Sequence, residues 1–390
     1  MLVSAFNYNL PDERIAKYPP KVRGTTRLLV LNRHTGAIED SYYKNLDQFL
    51  NSGDVLILND TRVMQSRLFC ELPDGRKREL VVLEKHTGDL QKVMYRGKLH
   101  DGDVLTVIPQ RSQANHFEDI CMDEIPSNSG PEISLSRHFA TNEEQHSEVP
   151  PVTTGRDERA EKGTFRSTVI TIKHILGNGI AEVESTTPLD QLAEQYGTVP
   201  LPPYLHRAAT ESDKTRYQTV WAKQTGSAAA PTASLNMTDD LLARLKAKGV
   251  IIKTLTLHVG LGTFLPIRTD KVEDHRMHSE WYHIPDDTLD AINTAKATHH
   301  RVIAVGTTVT RTLEYYAKTG KTEGEDDIFI YPGFQFQLVD ALVTNFHAPK
   351  STVLMLASAF AGWEHLHHAY DYAVEHDYNF LSYGDSMFIC

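Results

Sequence analysis

The stretch DDTLDAINTAKATHHRVIAVGTTVTRTLEYYAKTG, residues 286–320, decides the fold class. Residues 286–300 predict a helix, residues 301–306 (RVIAVG) predict a buried strand, and residues 309–320 predict a second helix that ends at Gly320. Elements that alternate in this way with short connections are typical of a sheet that is covered by helices. We therefore expect an α/β fold.

The same alternation extends over the second half of the chain. The stretch DDLLARLKAKG predicts an amphipathic helix that ends at Gly249, with Thr238 as its N-terminal cap. Buried strands are predicted at 251–260 (IIKTLTLHVG) and 341–347 (ALVTNFH), and a long helical stretch is predicted at 351–377. These elements add strands and covering helices to the same predicted sheet.

Between residues 67 and 184 the pattern changes to short strands. The stretch ELVVLEKHTGDLQKVMYRGKLHDGDVLTVIP (79–109) contains turn signals at 86–88 and 101–102, which is typical of a small β barrel. Residues 126–166 are polar and contain too few apolar residues to pack, so we expect a mobile insertion or long loop there.

Composition and charge exclude several classes of protein. The 390 residues carry a formal net charge of −11, which disfavours non-specific binding to polyanions. A specific nucleic-acid site then depends on local basic groups, such as Lys21, Arg23 and Arg27 or Arg76, Lys77 and Arg78. The three cysteines form neither a disulfide framework nor a zinc spacing, and no stretch approaches about 18 apolar residues. We expect a cytoplasmic protein.

The motif VIAVGTTVTRTLE (302–314) combines a strand, a tight turn and a helix. Gly306 allows a close approach, and the free N–H groups of the first helical turn favour a carboxylate or phosphate. An ordinary turn with Thr307 or Thr308 as the helix cap is the alternative. Arg311 either faces a ligand or pairs with Glu314 on the surface.

Two further motifs contain glycines and histidines. In LHVGLGTFLP (257–266), Leu265 breaks the dinucleotide-binding fingerprint, which leaves a glycine-lined loop at the end of a strand. In EDHRMHSEWYH (273–283), the residues that could bind a metal lack a fitting spacing, so hydrogen bonding and acid–base roles are favoured over a metal site.

Polar residues also follow two predicted strands. Asn59, Asp60, Thr61 and Arg62 come directly after one strand, and Asn345 and His347 follow another. These residues are either functional loops or local turns. The turn YPGF (331–334) is suited to stacking a base or to packing in a core.

Taken in order, these motifs resemble the family of S-adenosylmethionine:tRNA ribosyltransferase-isomerases of queuosine biosynthesis. The resemblance covers nearly the whole chain and rests on the following stretches: IAKYP with RLL, NDTRV, PLPPY (200–204), YQTV (217–220), APTA (230–233), LHVGLGTFLP, EDHRMHSE, VIAVGTT, RTLE, IYPGF, LVTNFH, STVLMLASAFAG and SYGDSMF (382–388).

The resemblance implies both a fold and a reaction. The expected fold is a large α/β core domain, residues 1–66 and 185–390, interrupted by a smaller inserted β-barrel domain, residues 67–184. Family members transfer and isomerise the ribosyl part of S-adenosylmethionine onto 7-aminomethyl-7-deazaguanine at the wobble position of tRNA. Epoxyqueuosine-tRNA forms, and adenine and methionine leave. The expected partners are therefore tRNA and S-adenosylmethionine, the latter as a co-substrate. We expect no metal or redox cofactor, no membrane partner and a monomeric protein.

The resemblance also implies roles for individual residues. A sulfonium acidifies the neighbouring C5′ protons and the departing adenine takes up a proton, so histidines are the candidate proton carriers: His258, His275, His278 and His347. The candidate substrate-binding residues are Asp60, Thr61, Arg62, Pro231, Thr232, Ala233, Asn236, Gly260, Gly262, Thr263, Phe264, Glu280, Gly306, Thr307, Thr308, Arg311, Tyr331, Phe334 and Asn345.

The chain departs from the family pattern at several of these loops. After APTA the family continues Gly-Leu-His-Phe, whereas this chain has Ser234, Leu235, Asn236 and Met237. We expect Asn236 to face the ligand and to position it, since an amide cannot carry a proton at neutral pH. The alternatives are a divergent paralogue that uses S-adenosylmethionine with another acceptor, and a non-catalytic nucleoside-binding protein.

Overall fold

A computed structural model describes residues 1–83, 90–108, 168–177, 179–260 and 267–390. Within these residues the strands are β1 (Arg27–Leu31), β2 (Ile38–Tyr42), β3 (Val55–Asn59), β4 (Thr61–Val63), β5 (Arg67–Glu71), β6 (Lys77–Val82), β7 (Gln91–Arg96), β8 (Val104–Val107), β9 (Val169–Gly177), β10 (Ile180–Ser185), β11 (Gln224–Ser227), β12 (Ile251–Leu257), β13 (Glu280–His283), β14 (Val302–Val305), β15 (Glu323–Asp326), β16 (Ala341–Asn345) and β17 (Ser386–Ile389).

The α-helices of the described residues are α1 (Leu189–Tyr196), α2 (Asp213–Arg216), α3 (Asp239–Ala247), α4 (Asp286–Ala297), α5 (Thr307–Thr319), α6 (Thr352–Ala361) and α7 (Trp363–Glu375). Short 3-10 helices lie at Val3–Phe6, Asp12–Arg14, Tyr43–Gln48, Pro203–Leu205, Thr232–Ser234 and Val272–Asp274.

Nine strands form the main sheet, in the order β15-β13-β12-β3-β14-β16-β17-β1-β2. The four central strands β12, β3, β14 and β16 are parallel, while β17 is antiparallel to β16 and parallel to β1. The chain passes from β3 to β12 on one side and later to β14 on the other side. The strand order therefore reverses at β3, and ligands of such sheets bind beyond the carboxyl ends of the strands at such a point.

Both faces of the central strands are buried. On β3, Val55 and Ile57 pack with helices α4 to α7, whereas Leu56 and Leu58 pack with α3 on the opposite face. A strand that is covered on both faces must be apolar at every position, which explains the continuous run VLIL.

Six strands close into a barrel in the order β10-β7-β6-β5-β8-β9. Alternate residues of its strands, such as Leu68 and Cys70 on β5, fill its core, and Leu189 and Leu192 of α1 pack into the same core. The barrel strands run from Arg67 to Ser185. The predicted α/β fold with a β barrel is confirmed.

Short-range signals predicted individual elements well. Residues 286–320 contain α4, β14 and α5, and α5 ends at Gly320 in the left-handed conformation. The Thr238 side chain caps α3 by accepting a hydrogen bond from the Leu241 N–H at 3.2 Å. The predicted long loop at 126–166 lies outside the described residues. None of the helices described here is long and apolar enough to cross a membrane.

Candidate active site

The turn between β14 and α5 forms one side of a cavity. Gly306 is the N-cap residue of α5 with φ +104°, and its N–H donates to the Val343 carbonyl of β16 at 2.8 Å. Only glycine adopts this conformation at little cost, so the turn depends on Gly306. Neither Thr307 nor Thr308 caps the helix, contrary to the alternative drawn from the sequence, because both lie within its first turn.

The loop after β16 forms the opposite side. It leads from Asn345 to Ser351, whose Oγ accepts a hydrogen bond from the Leu354 N–H at 3.2 Å and so caps α6. Thr307 and Ser351 both line the cavity, so α5 and α6 begin at the same space. The N–H groups and the dipoles of two helix starts favour a carboxylate or a phosphate there.

The cavity has a volume of about 180 Å³ and lies beyond the ends of β12, β14 and β16. It brings together eight residues that the sequence predicted: Pro231, Thr232, Ala233, Gly306, Thr307, Thr308, Asn345 and His347. Its wall also contains polar residues that are not among the predicted site residues: Tyr204, Thr344, Lys350, Ser351 and Ser382. The position agrees with the strand-order reversal at β3.

Two of the missed residues are joined across the cavity wall. The Tyr204 hydroxyl and the Ser382 hydroxyl form a hydrogen bond although 178 positions separate the two residues. Tyr204 closes the stretch PLPPY and Ser382 opens SYGDSMF. Both stretches contribute to the family resemblance, which marks them as parts of the family pattern. No local sequence pattern, however, indicates that the two stretches are in contact.

His347 is the predicted proton carrier that lines the cavity. One ring nitrogen, Nε2, lies 2.8 Å from the Thr344 hydroxyl, and the backbone N–H donates to the Tyr370 hydroxyl at 2.9 Å. Burial lowers the pKa of His347 to about 3. The imidazole is therefore neutral at physiological pH and can accept a hydrogen bond.

His258 and His275 do not line the cavity. The His258 ring stacks on Trp281 with 5.1 Å between ring centroids, and its Nδ1 lies 2.9 Å from the Thr61 hydroxyl. The His275 ring meets Phe329 edge-on at 5.0 Å. Burial, followed by the charge of His278, lowers the pKa of His275.

Glu280 is the centre of a buried polar cluster. It accepts hydrogen bonds from Arg311 Nη2 at 2.6 Å and from the Gly260 N–H at 2.7 Å, and His278 Nε2 lies 3.3 Å away. Burial opposes ionisation of Glu280, but Arg311 and then His278 outweigh it and hold its pKa at about 2. Asp326 lies 3.6 Å from Arg311 Nε, and burial raises the pKa of Asp326. The cluster thereby fixes the start of the glycine-lined loop.

Arg311 differs from both interpretations of the sequence. Its side chain is only 5% exposed and reaches a void of about 10 Å³ beside Thr307 and Thr308, rather than the main cavity. It does not pair with Glu314 on the surface either, since the Glu314 carboxylate is buried and accepts hydrogen bonds from the N–H groups of residues 337–339. The carboxylates of Glu280 and Asp326 hold Arg311 in the interior.

Asn236 does not line the cavity, contrary to our expectation. It is 3% exposed, and its Nδ2 donates to the Gly384 carbonyl at 3.1 Å. The neighbouring Pro231, Thr232 and Ala233 do line the cavity. The small-residue stretch is thus a cavity wall on one side, while Asn236 holds it to the SYGDSMF segment behind.

Other predicted binding residues have structural partners away from the cavity. The Asp60 carboxylate accepts hydrogen bonds from the hydroxyls of Thr256 at 2.7 Å and Thr254 at 3.3 Å. Thr61 is fully buried, and Arg62 is exposed. These residues fix the segment that leads from β3 into the barrel.

The aromatic turn packs in the core rather than in the cavity wall. Tyr331 lies 5.2 Å from Phe329 and Phe334 lies 5.1 Å from Phe336, both measured between ring centroids, and all of them pack against the buried core. Gly262, Thr263 and Phe264 lie outside the described residues. Throughout the described ranges, no three side chains of His, Cys, Asp or Glu are placed to hold a metal ion.

Comparison with known proteins decides the family. The family model described as "Queuosine biosynthesis protein" matches residues 3–389. The chain belongs to this family. It is 46% identical over 398 residues to the S-adenosylmethionine:tRNA ribosyltransferase-isomerase of Pelodictyon phaeoclathratiforme and 47% identical over 399 residues to that of Chlorobium chlorochromatii, and both alignments cover all of each chain.

Among solved structures, the chain is similar to a crystal structure of S-adenosylmethionine tRNA ribosyltransferase from Thermotoga maritima. The two are 28% identical with a TM-score of 0.49, and the alignment covers 99% of this chain and 100% of the other. Three of the stretches on which the resemblance rests, APTA, VIAVGTT and LVTNFH, contribute residues to the cavity wall.

Proposed function

We propose that this protein is an S-adenosylmethionine:tRNA ribosyltransferase-isomerase. It transfers and isomerises the ribosyl part of S-adenosylmethionine onto 7-aminomethyl-7-deazaguanine at the tRNA wobble position, and adenine and methionine are released. The observation that carries this proposal is the full-length identity of 46–47% to enzymes of that name. A paralogue with another acceptor and a non-catalytic binding protein are not favoured, because relatives down to 40% identity bear the same name over their whole length.

The cavity suits the co-substrate. The methionine carboxylate binds at the starts of α5 and α6, where N–H groups and helix dipoles favour an anion. The apolar wall, which includes Val259 and Phe346, accommodates the nucleoside. The sulfonium itself supplies the activation, so the reaction needs no resident metal or redox cofactor.

His347 carries the proton in this proposal. Its neutral imidazole removes a C5′ proton next to the sulfonium, while Thr344 orients the ring through Nε2. Burial lowers the pKa of His347, so the ring is unprotonated before the reaction. The imidazolium that forms then passes its proton to the departing adenine.

Adenine release tests the proposal. The protein should release adenine from S-adenosylmethionine only when tRNA with the 7-aminomethyl-7-deazaguanine base is present. The control is the same tRNA with guanine at that position. Release with both tRNAs would favour another acceptor, and no release with either would contradict an enzymatic function.

A further inference from the structure

One of the two basic groups predicted from the sequence lies beside the cavity. Residues 17–23, here called the basic loop, follow Ala16, whose N–H donates to the Phe380 carbonyl at 3.3 Å. The next residues after Phe380, Leu381 and Ser382, are part of the cavity wall. The basic loop therefore begins at the edge of the cavity.

Arginine side chains fix the shape of the basic loop through its carbonyl groups. Arg207 Nε donates to the Lys17 carbonyl at 2.6 Å, and Arg216 Nη2 donates to the Pro20 carbonyl at 2.6 Å. While these two arginines hold the backbone of the loop, the side chains of Lys17 and Lys21 are exposed. The two ammonium groups are thus presented by a fixed backbone.

Most of the positive charge here has no acidic partner. Among the described residues, no carboxylate lies within ion-pairing distance of Lys17, Lys21, Arg23 or Arg216. Burial, and then the nearby Arg216 guanidinium, lowers the pKa of Arg23, with only a partly opposing effect of the Asp239 charge. Like charges are held together, and this concentrates positive potential on a protein whose net charge is −11.

Two acidic residues of the neighbouring segment are already neutralised. Asp213 pairs with Arg207 through two hydrogen bonds of 2.8 Å, and Glu211 pairs with Lys214 at 2.9 Å. They consequently do little to offset the charge of the basic loop.

The second basic group of the sequence lacks these properties. Arg76 pairs with Asp74 at 2.7 Å, and Arg78 is only 4% exposed. Arg27, the last member of the first group, pairs with Asp40 at 3.0 Å. The unpaired charge is therefore concentrated on the basic loop.

We propose that the basic loop binds phosphate groups of the substrate RNA next to the cavity. This inference rests on the proposed function, which makes an RNA the acceptor. Lysine ammonium groups bind phosphates without regard to base sequence, so the loop contributes affinity and orientation, while recognition of the base belongs to the cavity.

The test measures RNA binding without S-adenosylmethionine. The charge reversal Lys17→Glu with Lys21→Glu should raise the Kd for a tRNA transcript at least tenfold at about 0.15 M salt. It should also reduce the slope of log Kd against log salt by about 1.5, since each phosphate contact contributes roughly 0.7 to 0.9 to that slope.

A matched variant controls for net charge. Lys318→Glu with Lys321→Glu makes the same change at the far end of α5, where both side chains are exposed, and should leave the Kd within twofold of wild type. An unchanged Kd in the loop variant, or an equal loss in both variants, would overturn the proposal. If the loop variant melts at a lower temperature than wild type, Lys17→Gln with Lys21→Gln replaces it.

The binding result is independent of turnover. If wild-type protein binds the transcript through the basic loop but releases no adenine with modified tRNA, the proposed reaction is contradicted and RNA binding by the basic loop is supported. If the loop variant releases adenine at the normal rate with an unchanged KM for tRNA, RNA binding by the basic loop is contradicted and the proposed reaction is supported.

Discussion

Glu280 connects three parts of the candidate site through one carboxylate. It holds Arg311 of α5, the Gly260 N–H at the start of the glycine-lined loop, and His278. Charged residues in a family motif suggested direct contact with substrate, but the structure buries them against each other. Pairing of this kind depends on which elements pack together, and the local sequence does not contain that information.

Replacing Glu280 should be costly. Glu280→Gln retains an acceptor for the Gly260 N–H but leaves the buried Arg311 with only Asp326, so we expect a loss of about 3–5 kcal/mol in the free energy of unfolding. Chemical denaturation measures this loss. Glu364→Gln, an exposed change on α7, is the control and should have little effect. Equal stability of the two variants would show that the ion pair contributes nothing.

The same carboxylate predicts a pH dependence. Its pKa is lowered from 4.5 to about 2, so its contribution to stability is complete above pH 4.5 and is lost as the pH falls towards 2. Glu280→Gln should therefore lose less stability than wild type between pH 5 and pH 2.5, as measured by the denaturation midpoint. Parallel curves for the two proteins would contradict this assignment.

His347 is the residue on which the proposed chemistry depends. His347→Asn should lower the rate of tRNA-dependent adenine release by about 10²–10⁴-fold, because an amide cannot carry the proton. Thr344→Val removes only the contact that orients the ring and should cost much less. Since burial keeps the pKa of His347 at about 3, its protonation should cause no fall in rate between pH 8 and pH 5. If His347→Asn retains more than a tenth of the wild-type rate, His347 is not the proton carrier.

The starts of α5 and α6 meet at the cavity. The sequence predicted β14, α5 and the end of α5 at Gly320, because periodicity and glycine are local signals. It did not predict that α6 begins at the same cavity, capped by Ser351, or that Tyr204 and Ser382 meet there. Those contacts join parts of the chain that are distant in sequence.

The two ends of α5 offer a matched pair of substitutions. Gly306→Ala and Gly320→Ala each place an alanine at positive φ, +104° and +69°, and each should lower the free energy of unfolding by about 1–3 kcal/mol. Gly306→Ala should in addition raise the KM for S-adenosylmethionine, because it shifts the first turn of α5 at the cavity. The KM for S-adenosylmethionine is measured for both variants in adenine-release assays and compared with that of wild type. A KM that rises equally in both variants would show that strain anywhere in α5 has this effect.

For the whole molecule, the change of pattern near residue 67 predicted the barrel, since short strands with frequent turns differ from strand–helix alternation. The sequence did not indicate how the barrel is fastened to the core. Arg67 of β5 pairs with Thr198 through backbone hydrogen bonds of 3.1 and 2.9 Å, and α1 packs into the barrel core. Entry to and exit from the barrel are therefore adjacent, although more than a hundred residues separate them in sequence.

The place of β17 in the main sheet has a consequence for synthesis on the ribosome. β17 lies between β16 and β1, so residues 28–31 of β1 pair with residues 386–389 of β17. During translation β1 and β2 emerge before the other described strands, and β17, which attaches them to the remaining sheet, emerges after those strands. The hairpin therefore cannot join the sheet until β17 has been made. Until then the backbone N–H and C=O groups on the β17 side of β1 are unpaired, and unpaired strand edges favour aggregation through pairing with other chains.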